Sequence, residues 1–135
     1  MLFRSAELQR DYPLAMNAPY SYPHVIRTGQ PELIPEVSDQ GLQMIAHDAR
    51  HLELLRALGF CSTVSVPLIA RERTIGSIML GTAESGRRYS ETDLRIAEEL
   101  ASRVALAVDN AWLFAERTTT ANRLRRQNEE LTALH

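Results

Sequence analysis

Lysine is absent from this chain of 135 residues, and cysteine is nearly so. All 15 basic residues are arginine, so no lysine is available for Schiff-base chemistry or for a phosphate-binding P-loop. The single cysteine, Cys61, excludes an internal disulfide and a zinc site built from several cysteines. These absences remove several classes of enzyme before any motif is considered.

Strong net charge and long apolar runs are also lacking. The formal charge of −2 provides no field that would recruit nucleic acid or an anionic membrane. No apolar run approaches the ~20 residues that span a bilayer, and the N-terminus shows no secretory signal. The apolar share of 44% is ordinary for a folded domain. We therefore expect one cytoplasmic domain, with neither nucleic acid nor membrane as a partner.

The first part of the chain is rich in proline. Three prolines between positions 13 and 23 predict an irregular segment over residues 1–21, with a short helical turn at residues 3–9. A short helix is expected over residues 22–28, where Pro23 is tolerated in the first turn and Gly29 ends the helix.

The next stretch combines a short apolar run with a periodic one. Residues 32–37 form at most an edge strand, because Pro35 interrupts them. Ser38 or Asp39 can cap a helix that Gly59 ends. The apolar residues at three- and four-residue spacing, which should form the buried face of this helix, are Leu42, Ile45, Ala49, Leu52 and Leu55.

A β-hairpin is predicted next. Cys61–Leu68 and Thr74–Gly81 both alternate in the manner of half-buried strands, and the polar residues 70–73 have the length of a hairpin connection. Val64 and Val66 should point to one face. Gly76 inside the second strand predicts a bulge or a close neighbour.

The last helix has the clearest start in the sequence. Ser90 is placed as its N-cap, with Asp93 three residues on as a variant of the capping box. No proline or glycine follows as far as His135, so one helix of roughly 65 Å is predicted. It is apolar on much of its surface up to Phe114 and polar after Arg117, so the far end must project or pair with another helix.

A narrow apolar seam continues along the polar part of this helix. Heptad spacing favours a coiled coil, and the frayed, solvated tail is the alternative. The seam and the aromatic residues before it, which we expect to form a dimer and linker surface, are Trp112, Phe114, Ala121, Leu124, Asn128 and Leu131.

Four stretches resemble parts of GAF domains. Leu58–Gly76 is similar to the central hairpin, with Leu-Gly, Val-Pro-Leu, a short basic turn and a glycine in the next strand. Tyr89–Leu94 resembles the aromatic and acidic start of the last helix, and Ala107–Phe114 resembles the closing segment. Arg27–Glu32 is similar to a piece common in bacterial GAF sensors. Together the resemblance covers about residues 22–116.

The resemblance implies an α+β fold, with a partial GAF-like antiparallel sheet flanked by helices and a long C-terminal helix projecting as a coiled-coil linker. A full GAF domain has an opening helix and about two more strands before the part matching residues 22–40. We therefore expect an irregular segment (1–21), a truncated GAF-like domain (22–116) with an open sheet edge, and a helical linker (117–135) to a missing output domain.

The resemblance also implies a pocket between the sheet and its covering helices. The hydroxyls of two strand residues could orient a ligand there, although an ordinary polar strand face is an equally good interpretation. The positions expected to line this pocket are Thr28, Ile34, Val37, Leu54, Thr63 and Ser65.

No cofactor can be assigned from the sequence. GAF domains that bind cyclic nucleotides carry a signature that includes lysine, which is absent here. Nothing specific surrounds His24 as a haem ligand, and Cys61 lies in a different part of the domain from bilin-linked cysteines. His47 and His51 have metal-binding spacing but no third ligand, so we expect a solvated pair and no metal site.

By resemblance, we expect a non-catalytic sensory or regulatory module of a bacterial signalling protein, of the histidine kinase or phosphatase type found in two-component systems. It would bind a small molecule and relay the signal through a homodimeric helix to an output kinase, a phosphatase or a second GAF domain. Two alternatives stay open: a structural dimerisation module without a ligand, and an enzyme or photoreceptor that uses Cys61.

Overall fold

The computed structural model describes residues 2–134, with side chains from residue 6 onward, and contains one antiparallel sheet of three strands with helices on both faces. The helices are α1 (Leu2–Asp11), α2 (Ser21–Thr28), α3 (Asp39–Ile45), α4 (Ala49–Leu58) and α5 (Glu91–Ala133); the strands are β1 (Glu32–Ile34), β2 (Ser62–Ala70) and β3 (Arg73–Thr82). This confirms the predicted α+β fold. Met1 and His135, the outer ends of the predicted first and last segments, lie outside the described residues.

Strand β2 is central and pairs with both neighbours. The short strand β1 pairs with it on one side, which confirms residues 32–34 as an edge strand, and β3 pairs with it on the other. Ile69 is opposite Thr74 and Leu68 is opposite Gly76, so Ile75 is an extra residue in β3. The predicted irregularity at Gly76 is therefore a β-bulge.

The face of β2 that carries its valines packs on α5. Val64 and Val66 are fully buried against Ala97 and Ala101, which lie one helical turn apart. Alanine at these positions lets the helix axis approach the sheet closely, because its side chain is small. The residues that surround this core are Leu33, Leu68, Ile78, Leu80, Tyr89 and Leu94.

Helix α2 covers the opposite face of the sheet through contacts with β2 and β3. Its buried residues are Pro23 and Val25, and Gly29 ends it in the left-handed conformation (φ 66°), with its N–H bonded to the carbonyl of Val25. The prediction of a short helix ended by this glycine is confirmed.

The prediction of one helix from Ser38 to Gly59 is wrong, because a non-helical segment at residues 46–48 separates α3 from α4. Asp48 has an extended backbone, and its carboxylate accepts a hydrogen bond from the His51 N–H at 2.8 Å, so it caps a new helix. The residues buried in α4 also differ from those predicted for the buried face of the single helix. The buried residues of α4 are His51, Leu54 and Leu58.

The N-terminal segment is also more ordered than the sequence predicted. Helix α1 occupies ten residues and packs on α4, so the irregular segment is restricted to residues 12–20. The prolines that motivated the prediction all lie after the end of α1, at positions 13 and 19, or inside the first turn of α2.

Helix α5 begins as predicted. Ser90 Oγ accepts from the Asp93 N–H, and Asp93 Oδ2 accepts from the Ser90 N–H at 2.8 Å, which completes a capping box. The helix continues without interruption for 43 residues, or roughly 65 Å. Its buried residues end at Asp109, and every residue from 114 to 134 is exposed. None of the helices within residues 2–134 has the combined length and hydropathy needed to cross a bilayer.

Candidate functional site

The face of β2 opposite α5 holds the polar residues for which a ligand role was predicted. Thr63 and Ser65 lie on this face because they alternate with the valines that face α5. Both are buried, at 8% and 1% exposed. Ile34 is opposite Thr63 in the β1–β2 pairing. The structure therefore places these three predicted residues beside one another.

The other predicted pocket residues differ in exposure. Leu54 is buried in α4 and Val37 is half-buried, with its N–H bonded to the carbonyl of Cys61 at 2.8 Å. Thr28 is exposed at the end of α2, where its hydroxyl donates to the carbonyl of His24. Nothing in the structure tests whether these six residues bind a ligand, so that assignment stays a prediction.

An aromatic ring not predicted from the sequence occupies part of this face. The ring of Phe60 lies over Gly81, so closely that a Cβ at Gly81 would come within 2.7 Å of it. Gly81 is the pairing partner of Thr63. Glycine in a strand is a signal of such close approach, but the sequence does not show which side chain approaches. Among residues 6–134, no buried side-chain nitrogen or oxygen lacks a hydrogen-bond partner.

A cleft of about 260 Å³ lies at the opposite end of the hairpin, between its turn and α5. Arg71 in the turn reaches the buried carboxylate of Asp109, with Nη2 2.9 Å and Nε 3.2 Å from Oδ1. This pair joins the hairpin to α5 at the last buried residue of the helix. The residues that line the cleft are Ala70, Arg71, Arg73, Ile75, Asp109, Trp112, Leu113 and Glu116.

The sequence contained a signal for Asp109 that composition alone does not reveal. Ala97, Ala101 and Ala105 are the other buried residues of α5, and Asp109 continues their spacing of four. A carboxylate on the buried stripe of a helix requires a partner, since burying an unpaired charge is costly. Its partner Arg71 lies 38 residues away in sequence, which explains why the pair was missed.

The prediction that the histidine pair lies on a solvated face is wrong, because His51 is only 5% exposed. His47 is exposed and stacks on it, with ring centroids 5.1 Å apart. In the described part of the chain, no group of three or more His, Cys, Asp or Glu side chains is arranged to hold a metal ion. Cys61 is half-buried, and its thiol donates to the carbonyl of Ala83 at 3.2 Å.

The predicted dimer and linker residues are all exposed along α5. The large ones are Trp112 (52%), Phe114 (73%), Leu124 (57%) and Leu131 (59%), and the smaller ones are Ala121 and Asn128. Three further large apolar residues, Ile96, Leu100 and Leu106, are exposed earlier on the same helix. Leu100 precedes Phe114 by two heptads, so counting backwards along the seam would have found it.

Comparison with known families decides the identity of this fold. The sequence model of the GAF domain matches residues 4–109, from within α1 to the last buried residue of α5. The chain belongs to the GAF domain family. No curated protein matches the chain.

Solved GAF domains share the fold at low sequence identity. The photoproduct state of GAF3 from Slr1393 of Synechocystis superposes with a TM-score of 0.54 at 18% identity, over 83% of this chain and 69% of that one. The blue-light absorbing form of the PixJ GAF domain of Thermosynechococcus elongatus gives 0.52 at 17% identity, over 84% and 59%.

A third similar structure is a domain of a putative two-component sensor histidine kinase protein from Sinorhizobium meliloti. It superposes with a TM-score of 0.53 at 14% identity, over 76% of this chain and 63% of that one. This GAF chain thus spans between 59% and 69% of the length of the three structures. At these identities the likeness shows the fold alone.

Proposed function

We propose that this GAF domain is a non-catalytic sensory module of a bacterial signalling protein, of the histidine kinase or phosphatase type. It binds a small molecule on the sheet face that carries Thr63 and Ser65, and it relays the change through α5 to an output domain. Two copies pair through the exposed seam of α5. GAF domains generally serve as regulatory modules, and the likeness to a domain of a putative sensor histidine kinase protein favours this setting.

The continuity of α5 is the observation that carries the proposal. One helix contributes Ala97 and Ala101 to the core and then extends past the sheet without a break. A shift of the sheet against this helix is therefore transmitted along a rigid rod. The Arg71–Asp109 pair ties the hairpin to the point where the helix leaves the domain, so movement of the hairpin acts on the helix directly. Such a relay requires two helix arrangements of similar energy that the ligand stabilises unequally.

The sensor role is tested by ligand-dependent stability and distance. Bacterial metabolite fractions are added to the chain, and its melting temperature is followed. A spin label on Arg126→Cys, in a Cys61→Ser background, reports the distance between paired helices. We expect at least one fraction to raise the melting temperature and to change this distance. The double variant Thr63→Val, Ser65→Ala should lose the response, and Ser85→Ala, in an exposed loop, should keep it. A chain that responds to no fraction would remove the sensor role.

A structural dimerisation module without a ligand is the second candidate. The packing of Phe60 on Gly81 favours it, because this ring takes up space on the proposed ligand face. Under this alternative the chain associates normally, and no metabolite fraction alters its melting temperature.

A further inference from the structure

Three stacked rings connect the N-terminal segment to α4. The ring of Tyr12, which directly follows α1, lies parallel to that of His51, with centroids 4.3 Å apart and an angle of 3° between the planes. His47 lies beside this pair, near-parallel to His51 at 5.1 Å and 15° and only 6.3 Å from Tyr12, so the three ring centroids form a triangle and not a column. Both rings lie close to His51, which is only 5% exposed.

Hydrogen bonds around this stack define the protonation state of His51. The backbone N–H of His47 donates to Nδ1 of His51 at 2.9 Å. A backbone N–H can only donate, so Nδ1 must carry a free electron pair and the imidazole must be neutral. Adding a proton at Nδ1 would bring two hydrogens face to face and break this bond.

Asp48 links the same histidine to Tyr12. Its carboxylate caps α4 by accepting from the His51 N–H, and it also accepts from the Tyr12 hydroxyl, at 2.9 and 3.0 Å. The hydrogen bond from the backbone N–H of His51, followed by that from Tyr12, holds the pKa of Asp48 below its usual range. Asp48 thus stays ionised in mildly acidic solution, and His51 is left as the member of this pair that changes charge there.

The other charged groups near the stack are paired. From α1, Glu7 and Asp11 face Arg50 of α4, whose Nη2 is 2.8 Å from Asp11 and 3.9 Å from Glu7, and Arg10 also pairs with Asp11. Arg50 additionally lies over the Tyr12 ring. From α3, the other helix packed on α4, Asp39 pairs with Arg56. The exposed His47 opposes a positive charge on His51, and Asp48 favours it.

Burial lowers the pKa of His51 below its usual value of 6.5, and repulsion from His47 lowers it further, while Asp48 acts in the opposite direction. A histidine whose pKa is lower in the docked state binds fewer protons there than in the released state. Docking is then fully stabilised above about pH 6.5 and weakens as the pH falls toward the lowered value.

We propose that the Tyr12–His51–His47 stack is a pH-sensitive latch, which holds α1 on α4 while His51 is neutral and releases α1 when His51 accepts a proton. The latch uses none of the residues proposed to bind the ligand and no residue of the sheet.

Amide hydrogen exchange measured by NMR tests the latch. We expect the protection of residues 6–11 in α1, corrected for intrinsic exchange, to fall between about pH 7.5 and 5.5. The fall should be up to about tenfold for each pH unit between the free and docked pKa values of His51. Protection of residues 97–105 in α5 should stay constant. In His51→Phe, which keeps an aromatic ring in the stack but cannot titrate, α1 protection should not depend on pH. His24→Gln, a histidine variant in α2, should respond as the wild type does.

Two results would overturn the latch: wild-type α1 protection that is constant over this range, or His51→Phe losing as much protection as the wild type. If His51→Phe fails to fold, as loss of α5 protection would show, the imidazole of His51 in the wild type is titrated directly by NMR. Its midpoint must then lie below the usual value of 6.5 and must coincide with the loss of α1 protection; a separation of the two midpoints refutes the proposal.

Discussion

At the scale of single residues, the Arg71–Asp109 pair is asymmetric, because the carboxylate is buried and the guanidinium is not. The side chain of Asp109 is 8% exposed and that of Arg71 is 64% exposed. Arg71→Ala would leave a buried carboxylate without its partner, so we expect a loss of about 1–3 kcal/mol in the free energy of unfolding, measured with urea. Asp109→Asn should cost less, since the amide is neutral and Arg71 can return to water. Arg73→Ala, the neighbouring arginine, is the control and should change stability by less than about 0.5 kcal/mol. Equal losses in Arg71→Ala and Arg73→Ala would show that the pair contributes nothing.

Individual residues also show where sequence reasoning succeeds and where it fails. The burial of Val64 and Val66 was predictable, because strand alternation is a local pattern. The positions of Phe60 over Gly81 and of Arg71 beside Asp109 were not, since each contact joins residues more than 20 positions apart. The candidate ligand face could thus be placed on β2, but the ring that partly fills it could not.

At the scale of elements, the turn between β2 and β3 stores backbone strain. Arg71 and Glu72 both have positive φ values (50° and 64°), as a two-residue hairpin turn of this hand requires, although neither is glycine. Glu72 makes no ion pair among the described residues. Glu72→Gly should therefore stabilise the domain, by about 0.5–1 kcal/mol, because glycine adopts this conformation without the steric cost. Thermal unfolding measures the gain. Glu84→Gly, in the loop after β3, is the comparison and should not stabilise; a lower melting temperature for Glu72→Gly would contradict the expectation.

The start of α5 is the element that the sequence predicted best, since a capping box is encoded within four residues. The hydrogen bond from the Ser90 backbone N–H holds the pKa of Asp93 below its usual 3.8, and the Ser90 hydroxyl and Arg87 act in the same direction. Because the folded value is the lower one, this stabilisation is complete above about pH 3.8 and is lost as the pH falls through the folded value. The free energy of unfolding of Asp93→Asn, measured with urea, should therefore fall less between about pH 5 and 3 than that of the wild type. The free energy of unfolding of Glu91→Gln, a variant in the same turn, should fall as that of the wild type does. An equally large fall in Asp93→Asn would disprove the role of the carboxylate.

The break between α3 and α4 shows the opposite case. Asp48 falls inside the single helix predicted to end at Gly59, because the apolar spacing continues across it. In the structure its carboxylate caps α4 and also accepts a hydrogen bond from the hydroxyl of Tyr12, which lies 36 positions away in sequence. A helix of uninterrupted periodicity and a pair of helices with an internal cap differ little in local pattern. The tertiary contact with Tyr12 favours the second, and no local signal reveals it.

At the scale of the whole molecule, the sequence predicted the architecture because its main signals are local. The hairpin, the bulge at Ile75 and the uninterrupted α5 all follow from spacing and caps, and together they define the sheet-and-helix frame. The docking of α1 on α4 follows from the stack and ion pairs around Tyr12, which no periodicity indicates. Residues 1–21 were therefore assigned to an irregular segment with only a short helical turn at residues 3–9, although the family match begins at residue 4.

Self-association is the remaining property of the whole molecule, and the exposed seam of α5 makes it testable. Leu124 and Leu131 are seven residues apart on a stretch of helix with no partner among the described residues. A single helix that extends so far past its domain gains little from burial, so pairing of two copies is what would stabilise it. Leu124→Asp, Leu131→Asp would place unpaired carboxylates in the seam, and because each 1.4 kcal/mol is tenfold in affinity, we expect the dissociation constant to rise by at least about a hundredfold.

Sedimentation equilibrium of wild type and variant measures this change. Asn122→Asp, Ala133→Asp adds the same two charges to α5 outside the heptad seam, so association should be close to that of the wild type. If both double variants associate as the wild type does, the seam does not contribute to self-association. Leu100→Asp, Phe114→Asp then locates any remaining contact: loss of association would place the interface on the part of α5 beside the sheet, where Leu100 is exposed at the same heptad position as Phe114. Pairing there would bring the proposed ligand faces of two copies closer together than pairing through the tail, so the position of the interface would decide how directly the proposed sensing by one domain affects the other.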